Sequence, residues 1–186
     1  MGNRVCFASN STLSYSKNAL DTSPTWSTYS WGSANPIPAS VGSVALHPTD
    51  ENTIYVSNES YNSSSGQLFV SKDSGTKWLD ISGKTSGSDP WPGRAFSPSN
   101  NPLPDNSVNA IFIHPDLPQR IYVGTDLGVY ATSNAVAGAV WKNLNQPGLA
   151  NVPVLAFAYQ ASTSRLFAFT HGRGVFVATV ASAVKT

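Results

Sequence analysis

Short apolar runs of Val, Ile, Leu, Phe and Tyr alternate along the whole chain with clusters of Gly, Pro, Asn, Asp and Ser. Branched and aromatic side chains suit a pleated, half-buried surface and the intervening residues make turns, so the pattern predicts successive antiparallel strands. No stretch keeps its apolar residues at the spacing of a helix face. Strands are expected over 4–9, 12–16 and 25–30, then over 43–47, 53–58, 67–71 and 77–82. Two more groups follow, at 109–114, 120–125, 128–132 and 140–144, and at 154–159, 165–170 and 174–180.

These groups are copies of one unit. VGSVALHP (41–48) aligns with VNAIFIHP (108–115) at an offset of 67, and the same offset aligns TIYVS (53–57) with RIYVG (120–124). A shift of 46 pairs Val108, Ala110, Ile111 and Ile113 with Val154, Ala156, Phe157 and Tyr159. RIYVGTDLGVY (120–130) then corresponds to RLFAFTHGRGVF (165–176), while residues 4–30 match the later parts of the unit without its opening strand. One four-stranded unit cannot bury both of its faces and must stack on neighbours, which is the logic of a propeller blade. The expected fold is all-β, a single β-propeller segment of four-stranded antiparallel blades, about three and a half of them. Its parts are a partial blade 4–31, a blade 41–83, a blade 107–145 and a closing blade 152–180, with a loop insertion over 83–106.

Between the third and fourth strands of the second unit stands LFVSKDSGTKW (68–78), with Ser71, Asp73, Gly75 and Trp78 at fixed intervals. Asn18 and Asn134 occupy the place of Asp73 in two other units. Asp and Asn can both accept hydrogen bonds from nearby backbone N–H groups, whereas an amide cannot serve as a catalytic acid, so Asp73 is read as closing a turn. Gly75 supplies a positive φ, and Trp26, Trp78 and Trp141 are expected to open the outer strands and pack between blades.

Ser71-x-Asp73-x-Gly75-x-x-Trp78 resembles the Asp box of the BNR repeat, found in sialidase-like, sortilin-like and xyloglucanase-type propellers. GTDLGVY (124–130), GLANVPV (148–154) and THGRGVF (170–176) resemble the closing part of bacterial secreted propellers of this kind, with Ala150 and the lengthened, Asn-containing boxes at 18 and 134 as departures. The resemblance implies the scaffold, and a scaffold does not fix chemistry. It also implies an extracellular or cell-surface setting, with any export signal outside these 186 residues.

Composition narrows the partners. Charged residues make up 11% of the chain, the formal net charge is +1, and the eleven basic residues are scattered singly. Nothing forms the clustered basic footprint that a phosphate backbone requires, so nucleic acid is not an expected partner. No apolar run has the length of a membrane span, and the lone Cys6 excludes an internal disulfide. Asn10, Asn58 and Asn62 each begin a glycosylation triplet, a match that arises often by chance in a Ser- and Asn-rich chain.

Sialidase chemistry, implied by one branch of the resemblance, needs three arginines with a Tyr–Glu pair. The five arginines and two glutamates here offer no such set. Xyloglucanase-type enzymes carry one carboxylate in a segment resembling Thr125-Asp126-x-Gly128, which makes Asp126 a weak catalytic candidate. Its alternative role is to cap a hairpin, since His171 takes its place in the last unit. His47 and His114 each precede a proline at a strand end, and a strand-ending hydrogen bond is preferred there over metal binding. Gly172-Arg173-Gly174 reads as a tight turn. No metal site and no cofactor are expected.

Within the insertion, Trp91, Arg94 and Phe96 stand among Pro and Gly. Long ordered loops are often functional, and these three are the candidate ligand-binding residues, for a glycan or a partner protein; the alternative is that Trp91 folds back over the propeller edge. The expected function is a non-catalytic recognition or scaffold module, and the alternative is part of a glycoside hydrolase propeller whose site needs further blades. Uncovered blade faces predict self-association or membership of a longer chain.

Overall fold

A computed structural model describes residues 3–9, 11–30, 40–61, 66–91, 95–145, 148–149 and 151–180. The chain folds as an all-β partial propeller made of antiparallel meanders. The first sheet holds β1 (Val5–Ala8), β2 (Thr12–Ser16) and β3 (Ser27–Ser30), and the second holds β4 (Val41–Leu46), β5 (Ile54–Asn58), β6 (Leu68–Ser71) and β7 (Leu79–Asp80). A two-stranded ribbon, β8 (Gly87–Ser88) with β9 (Ala95–Phe96), follows in the insertion. The third sheet holds β10 (Val108–Ile113), β11 (Ile121–Thr125), β12 (Gly128–Thr132) and β13 (Lys142–Asn143). The last holds β14 (Val154–Gln160), β15 (Arg165–Thr170) and β16 (Val175–Thr179), with a 3-10 turn at Ala161–Thr163 between its first two strands.

The middle sheets bury both faces, so β5 and β11 are buried at every position and open on Ile-Tyr-Val in place of a strict alternation. Along β5, Ile54 and Val56 face the first sheet and join Leu13, Tyr15, Phe69 and Trp78, while Tyr55 faces the third sheet with Leu68, Val70 and Ile81. Ile121, Val123 and Trp141 complete that second cluster. Tyr122 and Val129 pack against Val154, Leu166 and Ala168 of the last sheet. Each such side chain removed from water contributes about 1.5–3 kcal/mol, so the blades are held chiefly by their stacking.

The fourth strands are shorter than the sequence predicts, two residues each, because Trp78 and Trp141 leave the ladder to fill the space between sheets. Trp26 differs. It is 44% exposed and stacks on Phe7, which is 61% exposed, on the outer face of the first sheet. Phe169, Val175 and Val177 are exposed on the last sheet.

One irregularity recurs. The innermost strand of each of the last three sheets slips register against its neighbour between Val41 and Ser43, between Val108 and Ala110, and between Val154 and Ala156. The extra residues are Gly42, Asn109 and Leu155, equivalent positions in the repeat. A bulge of this kind bends the strand and re-aims one side chain.

His47 and His114 end the innermost strands as hydrogen-bond acceptors: Nδ1 of His47 accepts from the Asp50 N–H at 2.9 Å, and Nδ1 of His114 from the Asp116 N–H at 3.2 Å. Burial lowers the pKa of both imidazoles, with Arg4 and Arg120 acting the same way and Asp50 and Asp116 opposing. A lowered folded pKa means that the stability these groups carry is present above the unfolded value of about 6.5 and is lost as pH falls through the folded values. Urea midpoints compared above and below neutrality should therefore fall on acidification, and His114→Gln should flatten the part of that slope that His114 carries. Asn58, the head of one glycosylation triplet, is fully buried and donates to the Gly66 carbonyl at 3.3 Å, so folding removes it as an acceptor.

Candidate functional site

Strand alternation gives each blade two ends. One carries the hairpins between second and third strands, and the other carries the turns between third and fourth. Asp126 lies at the first end, in the two-residue turn of the β11–β12 hairpin that Thr125 and Gly128 close. Thr125 Oγ1 donates to the Gly128 carbonyl at 3.0 Å and accepts from the Leu127 N–H at 3.1 Å, fixing the turn. Gly128 has φ +100°, a conformation that suits glycine.

Three neighbours then orient Asp126. Asn109, the bulge residue of β10, donates its Nδ2 to Asp126 Oδ1 at 2.8 Å. Tyr61, from the loop after β5 in the preceding blade, donates its hydroxyl to Asp126 Oδ2. The Asp126 N–H donates to Asn106 Oδ1 at 3.2 Å. Both carboxylate oxygens thus accept from neutral donors, and the bond to the carboxylate holds the Tyr61 hydroxyl above the ordinary phenol range. Tyr61 is 57% exposed, so the cluster opens to solvent. Sequence reasoning singled out Asp126 and missed Tyr61, Asn106 and Asn109. The repeat alignment does place Asn109 opposite Gly42 and Leu155, a change of chemistry at an otherwise apolar or small position.

Trp91 goes to the other end. Its indole N–H donates to Asp73 Oδ2 at 3.1 Å, and the Lys72 ammonium stands 5.7 Å from its ring centre. Phe96 packs partly against the cluster around Trp141. Arg94 lies outside the described residues. The insertion therefore folds along the edge of the second and third blades, and Trp91 and Asp126 do not meet. His171 and Arg173 are exposed in a turn where Gly172 and Gly174 both have positive φ, and the His171 N–H donates to the Pro153 carbonyl at 2.9 Å. Among the described residues no group of three or more His, Cys, Asp or Glu side chains could hold a metal ion.

The 71–78 turn has its own network. Ser71 Oγ accepts from the Asp73 and Gly75 N–H groups at 3.3 and 2.8 Å and donates to Asp73 Oδ1 at 2.9 Å. Asp73 Oδ1 also accepts from the Lys77 N–H at 2.8 Å, and Trp78 Nε1 donates to the Gly75 carbonyl at 2.9 Å. Ser16 Oγ and Thr132 Oγ1 accept the N–H groups of Asn18 and Asn134 in the same way, each at 3.2 Å. Asn18 Oδ1 accepts from the Thr25 N–H at 2.9 Å, as Asp73 does from Lys77. Asp73→Ala should lower stability by about 1–3 kcal/mol by stranding these donors, whereas Asp73→Asn should cost about 1 kcal/mol, the bond from Trp91. Denaturant melts of the pair decide this, and equal losses would contradict it.

These features define a class, a propeller segment of antiparallel blades with polar hairpin ends. No protein-family model and no curated protein matches the chain. Solved structures similar to it include an ancestral GH74 enzyme, at 18% identity and a TM-score of 0.54, with 90% of this chain and 20% of that chain covered. Another is the GH74 xyloglucanase from Xanthomonas campestris, at 14% identity and a TM-score of 0.58, with 95% of this chain and 27% of that chain covered. The chain spans about a fifth to a quarter of those proteins, and at such identities the likeness shows the fold alone.

Proposed function

We propose that the chain is a non-catalytic carbohydrate-recognition segment of a larger Asp-box propeller, working outside the cell, and that it reads a neutral β-glucan of the xyloglucan kind. The observation that carries this reading is Asp126 held by Tyr61 and Asn109 at the open hairpin end. An oriented carboxylate, an amide and an exposed phenol offer directional acceptors and donors with an aromatic face, the groups that sugar hydroxyls and sugar rings use. Low surface charge suits a neutral ligand. Trp91 and Phe96 form a second proposed contact surface, for a glycan or a protein, at the edge of the insertion, and Arg94 is proposed as a further contact residue. The exposed faces bearing Phe7 with Trp26 and Phe169 with Val177 are proposed to be covered by further blades, from a second copy or a longer chain.

A second reading, favoured by the likeness to GH74 enzymes, makes Asp126 one carboxylate of a hydrolytic pair whose partner stands on other blades. Calorimetry with xyloglucan oligosaccharides, run beside a reducing-sugar assay, separates the two. Recognition predicts saturable binding without product, and an affinity about ten-fold weaker in Asp126→Ala. Product from the wild type that Asp126→Asn abolishes establishes the enzyme, and neither binding nor product refutes both. Trp91→Ala in the same titration tests the second surface.

A further inference from the structure

Hydrogen bonds tie the first blade to the second and the second to the third. Arg4 donates to the Asp50 and His47 carbonyls, each at 2.9 Å, across the first contact. Ser57 Oγ donates to the Val108 carbonyl at 2.8 Å, and Trp141 Nε1 to the Ile81 carbonyl at 3.0 Å, across the second. The repeat places Arg120 where Arg4 stands and Gly124, which has no hydroxyl, where Ser57 stands. Among the described residues no hydrogen bond runs from β10–β13 to β14–β16, and the third contact rests on packing.

His114 belongs to that packing. It is fully buried at the end of β10, its ring 5.5 Å from that of Tyr159 on β14 and 6.3 Å from that of Phe112. Phe112 in turn lies 5.2 Å from Tyr159 and 6.5 Å from Phe157. Nδ1 of His114 accepts the Asp116 N–H, so the neutral ring carries its proton on Nε2, a buried group with no hydrogen-bond partner among the described residues. A second proton has only Nδ1 to take, where it meets the Asp116 N–H donor against donor. It would also place a charge among aromatic rings, which is costly without a partner. The surrounding groups do not offset this: Asp116 favours the charge but is exposed, Arg120 opposes it, and β11 and β14 present Tyr122 and Tyr159. Arg165, opposite Gln160 at the end of β14, is exposed.

We propose that His114 is an acid-operated latch: on its protonation the contact between the third and last blades opens, while the first three sheets stay stacked. Burial lowers the pKa of the closed state's imidazole, and opening returns it toward the ordinary value near 6.5. The latch is therefore shut above that value, and opening gains as pH falls from there toward the folded value. His47, the equivalent one blade earlier, is only half-buried, and the bonds from Ser57 and Trp141 hold its blade to the third whatever the state of its ring.

Hydrogen exchange followed by mass spectrometry at pH 7.5 and 5.0, with rates corrected for the intrinsic pH dependence of amide exchange, reads the latch. Protection of β14 and β15 should fall about ten-fold at the lower pH, and protection of β5 and β6 should not change. His114→Asn offers an acceptor to the Asp116 N–H and cannot take up a proton, so its last sheet should be equally protected at both pH values. Equal loss in every sheet, no loss in any, or an undiminished loss in the His114→Asn protein overturns the proposal. Should that variant fail to fold, long-range proton–nitrogen NMR of the wild-type histidines decides. His114 should be the Nε2–H tautomer at pH 7.5, and protection of the last sheet should fall along the His114 titration curve. The Nδ1–H tautomer, or two separate curves, overturns the latch.

Discussion

Trp141→Ala is expected to remove about 3–5 kcal/mol of unfolding free energy, since Trp141 is the largest fully buried side chain among the described residues. The indole is fully buried at the centre of the cluster that joins the second and third blades, and its N–H donates to the Ile81 carbonyl at 3.0 Å. Its backbone also anchors the insertion, the N–H donating to the Asn101 carbonyl at 2.9 Å and the carbonyl accepting from Asn101 Nδ2. Removing the ring leaves a cavity between two stiff sheets that have little room to collapse. Trp141→Phe separates the contributions, since it keeps much of the volume and strands the Ile81 carbonyl at a cost of about 1–3 kcal/mol. Equilibrium urea unfolding measures both, and a loss below about 1 kcal/mol in the alanine variant would contradict the packing described.

Gly128→Ala is expected to cost about 3 kcal/mol and, on the recognition reading proposed above, to weaken glycan binding with it. At φ +100° an added Cβ is strained, and it would also run into the Asn145 carboxamide. Asn145 cannot step aside cheaply. Its Oδ1 accepts from the Val129 N–H at 3.0 Å, and its Nδ2 donates to the Leu127 carbonyl at 2.6 Å and to Asn151 Oδ1 at 2.7 Å. The displaced hairpin is the one that holds Asp126, so stability and recognition should fall together. Gly148→Ala is the control, because it has a positive φ but, among the described residues, no atom within 4 Å of the added carbon. A Gly128→Ala protein with normal melting and lost binding would show that the hairpin matters for ligand contact alone.

The strands were legible because each carries enough branched and aromatic residues to declare itself, and because the repeat sets one copy beside another. β8 and β9 were not legible, since Gly87–Ser88 and Ala95–Phe96 are too short to show any alternation. Asp126 stood out through the residues around it, whereas Tyr61 reaches it from the preceding blade, across 65 positions of sequence. Trp91 reads in the sequence either as a group that meets ligand or as one folded back over the propeller edge; its bond to Asp73 depends on how the insertion runs along the blade edge, which no local pattern encodes. The bulges escaped notice for a related reason. A one-residue slip leaves the apolar pattern on either side unchanged, so it is visible in the hydrogen-bond register and not in the residue types.

Those bulges have a consequence for what the inner rim offers. Asn109 and Leu155 occupy equivalent places on neighbouring innermost strands, so a hydrogen-bonding amide stands one blade away from an aliphatic side chain that is 51% exposed. A pyranose is itself two-sided, with hydroxyls around its edge and C–H groups across its face. The rim changes polarity within one blade step, and a sugar lying across that boundary would be sorted by orientation as well as by composition.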